Sequence, residues 1–96
     1  NNLQDSVSYT LHTGSRVINV NSSWVTVFND ASFKQWFGRS FNLDKDCIYL
    51  MNADVIAQNI AISGTYYDDT SKSICVGLNK SASGNFRFNF ITVLGK

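Results

Sequence analysis

The chain has 96 residues, is 44% hydrophobic and 16% charged, and carries a formal net charge of +1. A single domain of this size buries roughly 60–65% of the surface its unfolded chain exposes, so its core is thin and tolerates little else. The eight Lys and Arg residues are scattered singly, which argues against nucleic acid as the main partner, and no apolar run approaches the ~18 residues of a transmembrane helix.

Hydrophobic periodicity orders the elements. Val7, Tyr9 and Leu11 alternate with Ser8, Thr10 and His12 as a half-buried first strand. Thr13-Gly14-Ser15 has turn composition, and Val17, Ile18 and Val20 form a short second strand. Asn21-Ser22-Ser23 is another turn, and Trp24-Val25-Thr26-Val27-Phe28 is a β-branched and aromatic third strand. The period then changes. Asn29 or Asp30 can cap a helix, and Phe33, Trp36, Phe37 and Phe41 follow at helical spacing, with Lys34, Gln35 and Arg39 on the other face. This aromatic stripe reads as core, and Gly38 weakens the helix by about 1 kcal/mol relative to Ala.

Cys47-Ile48-Tyr49-Leu50-Met51 is a short strand. Residues 54–67 suit a helix through Val55, Ile56 and Ile60, or a strand through Ile60, Ile62 and Thr65-Tyr66-Tyr67, and the strand from about residue 58 is the expectation. Asp68-Asp69-Thr70-Ser71 is a polar turn, Ile74, Val76 and Leu78 alternate, and Ser81-Ala82-Ser83-Gly84 is a loop. Phe86, Phe88 and Phe90, then Ile91-Thr92-Val93-Leu94, make the clearest strand. The order is strand-strand-strand-helix-strands in a single domain. The expected fold is mostly β with one helix: a small antiparallel β-barrel of the oligonucleotide/oligosaccharide-binding kind. The absence of Pro suits strands whose N–H groups are nearly all paired.

Catalytic and metal chemistry find little support. The single His, His12, falls on the apparent outer face of the first strand, and no Gly-x-Ser-x-Gly elbow or Gly-rich phosphate loop occurs. One His and two distant Cys fall short of a zinc site. Asp44-x-Asp46, Asn52-x-Asp54 and Asp68-Asp69 are oxygen donors, but all seven acids are Asp, so no loop ends in the Glu of the twelve-residue calcium pattern. Turn chemistry explains them. The expectation is therefore a protein without enzymatic activity, cofactor or metal.

Cys47 and Cys75 suggest a disulfide closing a loop of about 28 residues, which would stabilise the domain by roughly 3 kcal/mol; two buried free thiols are the alternative. The disulfide agrees with an Asn/Ser/Thr-rich, secreted character; the sequons Asn21-Ser22-Ser23 and Asn79-Lys80-Ser81 suit secretion in a eukaryote and say nothing for a bacterial protein. The opening Asn1-Asn2-Leu3 reads as a mature or trimmed product, with no leader remaining. What remains is a binding surface. Aromatic rings beside Asn, Ser and Asp suit carbohydrate. In a strand, one of Tyr66 and Tyr67 must face outward, and Trp24 opens a strand beside a polar turn.

Ser6-Val7-Ser8-Tyr9-Thr10, Val17 to Val20, Val27-Phe28-Asn29-Asp30, the helix and Cys47-Ile48-Tyr49-Leu50 together resemble the element order of bacterial toxin B subunits. Leu11-His12-Thr13-Gly14, Ala31-Ser32-Phe33 and Val76-Gly77-Leu78 are similar to pieces of the subtilase-cytotoxin and pertussis-like members; Shiga-like subunits share the fold. The resemblance implies a secreted, homopentameric subunit that binds a cell-surface glycan and carries a separate catalytic A chain. At the position of the family's sugar-contacting serine this chain has Gln4, with Ser6 nearby. The candidate ligand residues are thus Tyr66, Tyr67, Trp24 and Ser6. Two alternatives stand beside this reading. Val25–Phe28 through Gly38–Phe41 resembles a βγ-crystallin key, in which the helix would be a hairpin and the function linked to calcium. A Pro-free β domain with one disulfide also suits a pilus or surface-fibre subunit, with Phe86–Leu94 pairing to a neighbour.

Overall fold

Alternation starting at Tyr9 does not stop at Gly14. In the computed structural model, which describes residues 9–52 and 59–96, one strand, β1, runs unbroken over Tyr9–Val20. The expected turn at Thr13–Ser15 is absent, and the two short strands are one. Gly14 is present for space: a Cβ there would stand 2.8 Å from Cζ of Phe90 and 3.4 Å from the Trp36 ring. A residue with turn character therefore sits mid-strand because two rings occupy its side-chain position. Val7 and Ser6 lie outside the described residues.

The remaining elements are β2 (Trp24–Phe28), helix α1 (Asp30–Phe37), β3 (Cys47–Asn52), β4 (Ile62–Asp68), β5 (Ser73–Leu78) and β6 (Gly84–Gly95). The fold is mostly β with one short helix, as expected. The strands form two antiparallel three-stranded sheets, in the orders β1-β6-β3 and β2-β5-β4. Among the described residues no ladder joins β1 to β2 or β3 to β4, so these are two open sheets, and the closed barrel expected from the sequence is not found. β1 and β6 pair along their whole length, from Tyr9↔Gly95 to Val20↔Gly84.

Period-2 alternation gives each sheet one inner face. Phe86, Phe88, Phe90 and Leu94 of β6 and Leu50 of β3 face Val25, Val27 and Phe28 of β2 and Ile74, Val76 and Leu78 of β5, and all are buried. The register slips between Thr26 and Phe28. The bulge turns Val27 and Phe28, which are adjacent, both into the core. Thr92 faces the same core with its Oγ1 fully buried and without a hydrogen-bond partner.

The helix begins where its cap chemistry dictates. Asn29 Oδ1 accepts from the Ser32 backbone N–H at 2.8 Å, and Ser32 Oγ accepts from the Asn29 N–H at 2.9 Å, a reciprocal capping box. It ends at Gly38, whose φ of 87° lets its N–H reach Lys34 O at 2.7 Å. Gly38 thus terminates the helix and does not weaken its interior. Phe33 is buried, while Trp36 keeps 45% exposure, so the stripe is only partly core. Phe41 lies beyond the helix yet packs on Phe33 at 5.6 Å. With a helix here, the hairpin that a βγ-crystallin key requires is absent.

Arg39 also lies beyond the helix and not on its outer face. Its guanidinium donates to both Asp46 oxygens, at 2.6 and 2.8 Å, and to Gly95 O at 2.7 Å. The buried Asp46 accepts in addition from the backbone N–H groups of Asn42 and Gly95. This clamp ties the loop after α1 to the end of β6. Among the described residues, no helix is long and apolar enough to cross a membrane.

Candidate functional site

Two glycines opposite one another leave a gap on the outer face of the second sheet. Trp24 pairs with Gly77, and Gly77 with Gly64. Two rings fill the space above them. Tyr66 folds back along β4 so that its ring covers Gly64: a Cβ on Gly64 would collide with the Tyr66 hydroxyl and stand 2.7 Å from its Cζ. Trp24 comes in from β2, and the rings stack with centroids 5.3 Å apart and 22° between planes. Trp24 is 52% and Tyr66 49% exposed, so the stack is a ledge open to solvent.

Local sequence fixes each part. Ser22 Oγ accepts from the Trp24 N–H at 3.2 Å and donates to Trp24 O at 2.9 Å, which sets the chain direction at the start of β2. The β4 register slips between Ile62 and Gly64. This bulge brings Ser63 onto the outer face, with its Oγ 3.2 Å from where a Gly77 Cβ would be. An apolar double ring with a hydroxyl beside it is thus presented on a rigid sheet.

The structure therefore brings together two of the four ligand candidates, Trp24 and Tyr66. Tyr67 points the other way, half-buried against Phe41 at 4.9 Å, and burial followed by the carboxylates of Asp69, Asp30 and Asp68 pushes its hydroxyl pKa up. There it lines a cavity of about 210 Å³ with Phe41, Cys47 and Ile48, apart from the Trp24 ring. Ser6 lies outside the described residues. The Cys47–Cys75 disulfide is not formed: both are free thiols. Cys75 is central in β5, buried beside Thr26 with Sγ 3.6 Å from its Oγ1, whereas Cys47 begins an edge strand of the other sheet and is exposed. His12 faces inward, edge-on to Phe37 at 5.3 Å, not outward as its sequence position suggested.

No family model matches this chain, and no curated protein or solved structure matches it. The site stands on its own geometry.

Sequence reasoning missed a second feature. A cleft of about 620 Å³ between β1 and α1 is lined by Ser15, Arg16, Val17, Ser32, Gln35 and Trp36. The Arg16 guanidinium lies 4.9 Å from the centroid of the Phe28 ring, a cation–π contact. Burial pushes its pKa below the ordinary arginine value, and among the described residues no carboxylate pairs with it. The signal was available: Arg16 is in phase with inward-facing Ile18 and Val20, where a charge is out of place. Of the acids read as turn chemistry, Asp68 behaves so, whereas Asp46 is a buried ion-pair partner. Asp46 binds Arg39, and Asp68 accepts from Thr70 N at 3.0 Å. Asp54 lies outside the described residues. Among the described residues no group of three His, Cys or carboxylate side chains is assembled for a metal.

Proposed function

We propose that this chain is a secreted, non-enzymatic binding module that attaches to cell-surface glycan through the Trp24–Tyr66 ledge. The observation that carries the reading is the exposed ring pair over Gly64 and Gly77 with Ser63 beside it. A sugar ring has an apolar face for the rings and hydroxyls for a polar neighbour, and ligand sites generally combine an aromatic surface with a few placed polar groups. A ledge this open binds a single sugar weakly, so self-association is part of the proposal: linked copies gain avidity without any new contact. Five copies and a separate catalytic chain rest on the toxin resemblance alone and are carried no further.

The test is a glycan array and Trp fluorescence titration with the wild type, Trp24→Ala, Tyr66→Ala and Gly64→Ala. Gly64→Ala removes neither ring; it only evicts Tyr66 from its seat. Loss of the signal in all three supports the reading. No glycan signal from the wild type, or a signal unchanged in the three variants, defeats it. The fibre-subunit reading expected Phe86–Leu94 to pair with a neighbour, but β6 is central and already paired with β1 and β3; among the described residues the outer strands, β3 among them, have one ladder partner each, and such edges accept a further strand. Polymers whose growth stops on substituting Pro into β3 would support it.

A further inference from the structure

The outer face of the first sheet is a different surface. Reading across the register, Leu11, Val93 and Cys47 form one row, Thr13, Ile91 and Tyr49 the next, and Ser15, Asn89 and Met51 the third. Besides Val17 at 64%, next to Arg87, five large apolar side chains on this face are about half exposed: Tyr9 52%, Leu11 59%, Tyr49 62%, Met51 48% and Ile91 46%. The helix lies on the other side of β1, since Trp36 is near the position of the absent Gly14 Cβ and Gly14 faces inward. None of the described residues covers the patch.

We propose that this face is the interface of a two-fold homodimer, in which a second copy of the chain packs the same face against it. Area is the first argument. Taking about 200 Å² for a large side chain, the five residues expose roughly 500 Å². That is near the upper end of the ~300–600 Å² that a monomer's largest patch reaches. Val93, Cys47 and the Thr and Ser of the rows extend it toward the ~800 Å² that each partner of a stable pair buries.

Charge is the second argument. Arg87 is the one charged residue on this face among the described residues, so the face offers no charge complementarity to an acidic or basic partner. It is instead complementary to itself. Arg87 pairs with Val17 at the end of the face away from Tyr9 and Leu11. A two-fold axis parallel to the sheet, crossing the strands near Ile91, sets the Thr13–Ile91–Tyr49 row on its own copy, lays the Leu11–Val93–Cys47 row over the Ser15–Asn89–Met51 row of the second copy, and leaves the two Arg87 side chains at opposite ends. A two-fold contact of this kind uses one patch on both subunits and closes at two.

The cysteines provide the readout. Cys47 is exposed in the Leu11 row, while Cys75 is buried in the other sheet. The experiment is sedimentation velocity over a range of concentrations, with thiol-labelling rates measured on the same samples. The wild type is expected to reach twice the chain mass of 10.7 kDa, and Cys47 labelling to slow as the dimer forms. Ile91→Lys, and Leu11→Asp as a second variant, should remain monomeric with the circular dichroism of the wild type and fast Cys47 labelling. A wild type that is monomeric at every concentration, variants that keep the doubled mass, or a mass that grows without limit each overturn the proposal. The dimer supplies the self-association that the proposed function calls for, and none of these readouts involves sugar: a monomeric wild type removes the dimer and that avidity, whereas failure of the Trp24–Tyr66 ledge is read only on the glycan array.

Discussion

The Arg39–Asp46 clamp gives the sharpest stability prediction. Asp46 has a fully buried side chain, accepts two hydrogen bonds from Arg39, and also receives the N–H groups of Asn42 and Gly95. Burial alone would raise its pKa; the Arg39 and backbone hydrogen bonds outweigh it and hold the carboxyl below the ordinary aspartate value. Arg39 moves in the matching direction, its pKa raised by the bond to Asp46. Asp46→Asn keeps the shape and removes the charge. Breaking a buried pair by removing one partner costs about 3–5 kcal/mol, and the part-exposed Arg39 can turn to water, so about 3 kcal/mol is expected. That is a large share of the ~5–14 kcal/mol typical of a chain this long. It corresponds to a fall in Tm of about 12–24 °C. The pH dependence separates charge from shape. A depressed carboxylate contributes stability above its unfolded pKa and loses it as pH falls through its folded pKa. The gap between wild type and Asp46→Asn should therefore be full at neutral pH and shrink in strong acid. Urea unfolding followed by fluorescence over a pH series measures it. A gap of equal size at neutral and acidic pH would refute the argument, because only a packing defect is indifferent to protonation.

Two other substitutions test the sheets and the helix. Thr92→Val removes a buried hydroxyl with no partner at similar volume, so Tm should rise, by an amount corresponding to about 1 kcal/mol; a fall would mean the hydroxyl is satisfied. Asn29→Ala deletes the capping-box acceptor and should cost about 1 kcal/mol, read as a lower urea midpoint with unchanged slope.

Local chemistry was legible in the sequence; long-range pairing was not. The Phe86–Phe90 alternation and the switch of period at Asn29 predict β6 and α1 because period and cap are properties of neighbouring residues. Gly14 misled because turn composition and the need for space look alike in one dimension, and only the Phe90 ring, 76 positions later, distinguishes them. The same holds for the pairing of the first described strand with the last, and for the free Cys47 and Cys75, whose sheets are assigned by topology and not by spacing. The outward choice between Tyr66 and Tyr67 needed the Ile62/Gly64 bulge and the register of β5, neither of which has a sequence signature of its own.

The two outer faces now have different chemistry, and their relation constrains function. The stacked Trp24 and Tyr66 lie on the outside of one sheet, the apolar rows of Leu11 and Ile91 on the outside of the other. If the second face pairs with its own copy, the two aromatic ledges point in opposite directions, separated by four layers of sheet, or about 30 Å. Such a dimer cannot set both ledges on one flat surface; it bridges two. Its avidity would then appear as cross-linking of glycan-bearing particles, and would be lost in Ile91→Lys while single-site binding survives. A ring with all its ledges on one side would show the reverse, with tight attachment to one surface and no bridging, so bead agglutination with the wild type and Ile91→Lys distinguishes the two arrangements.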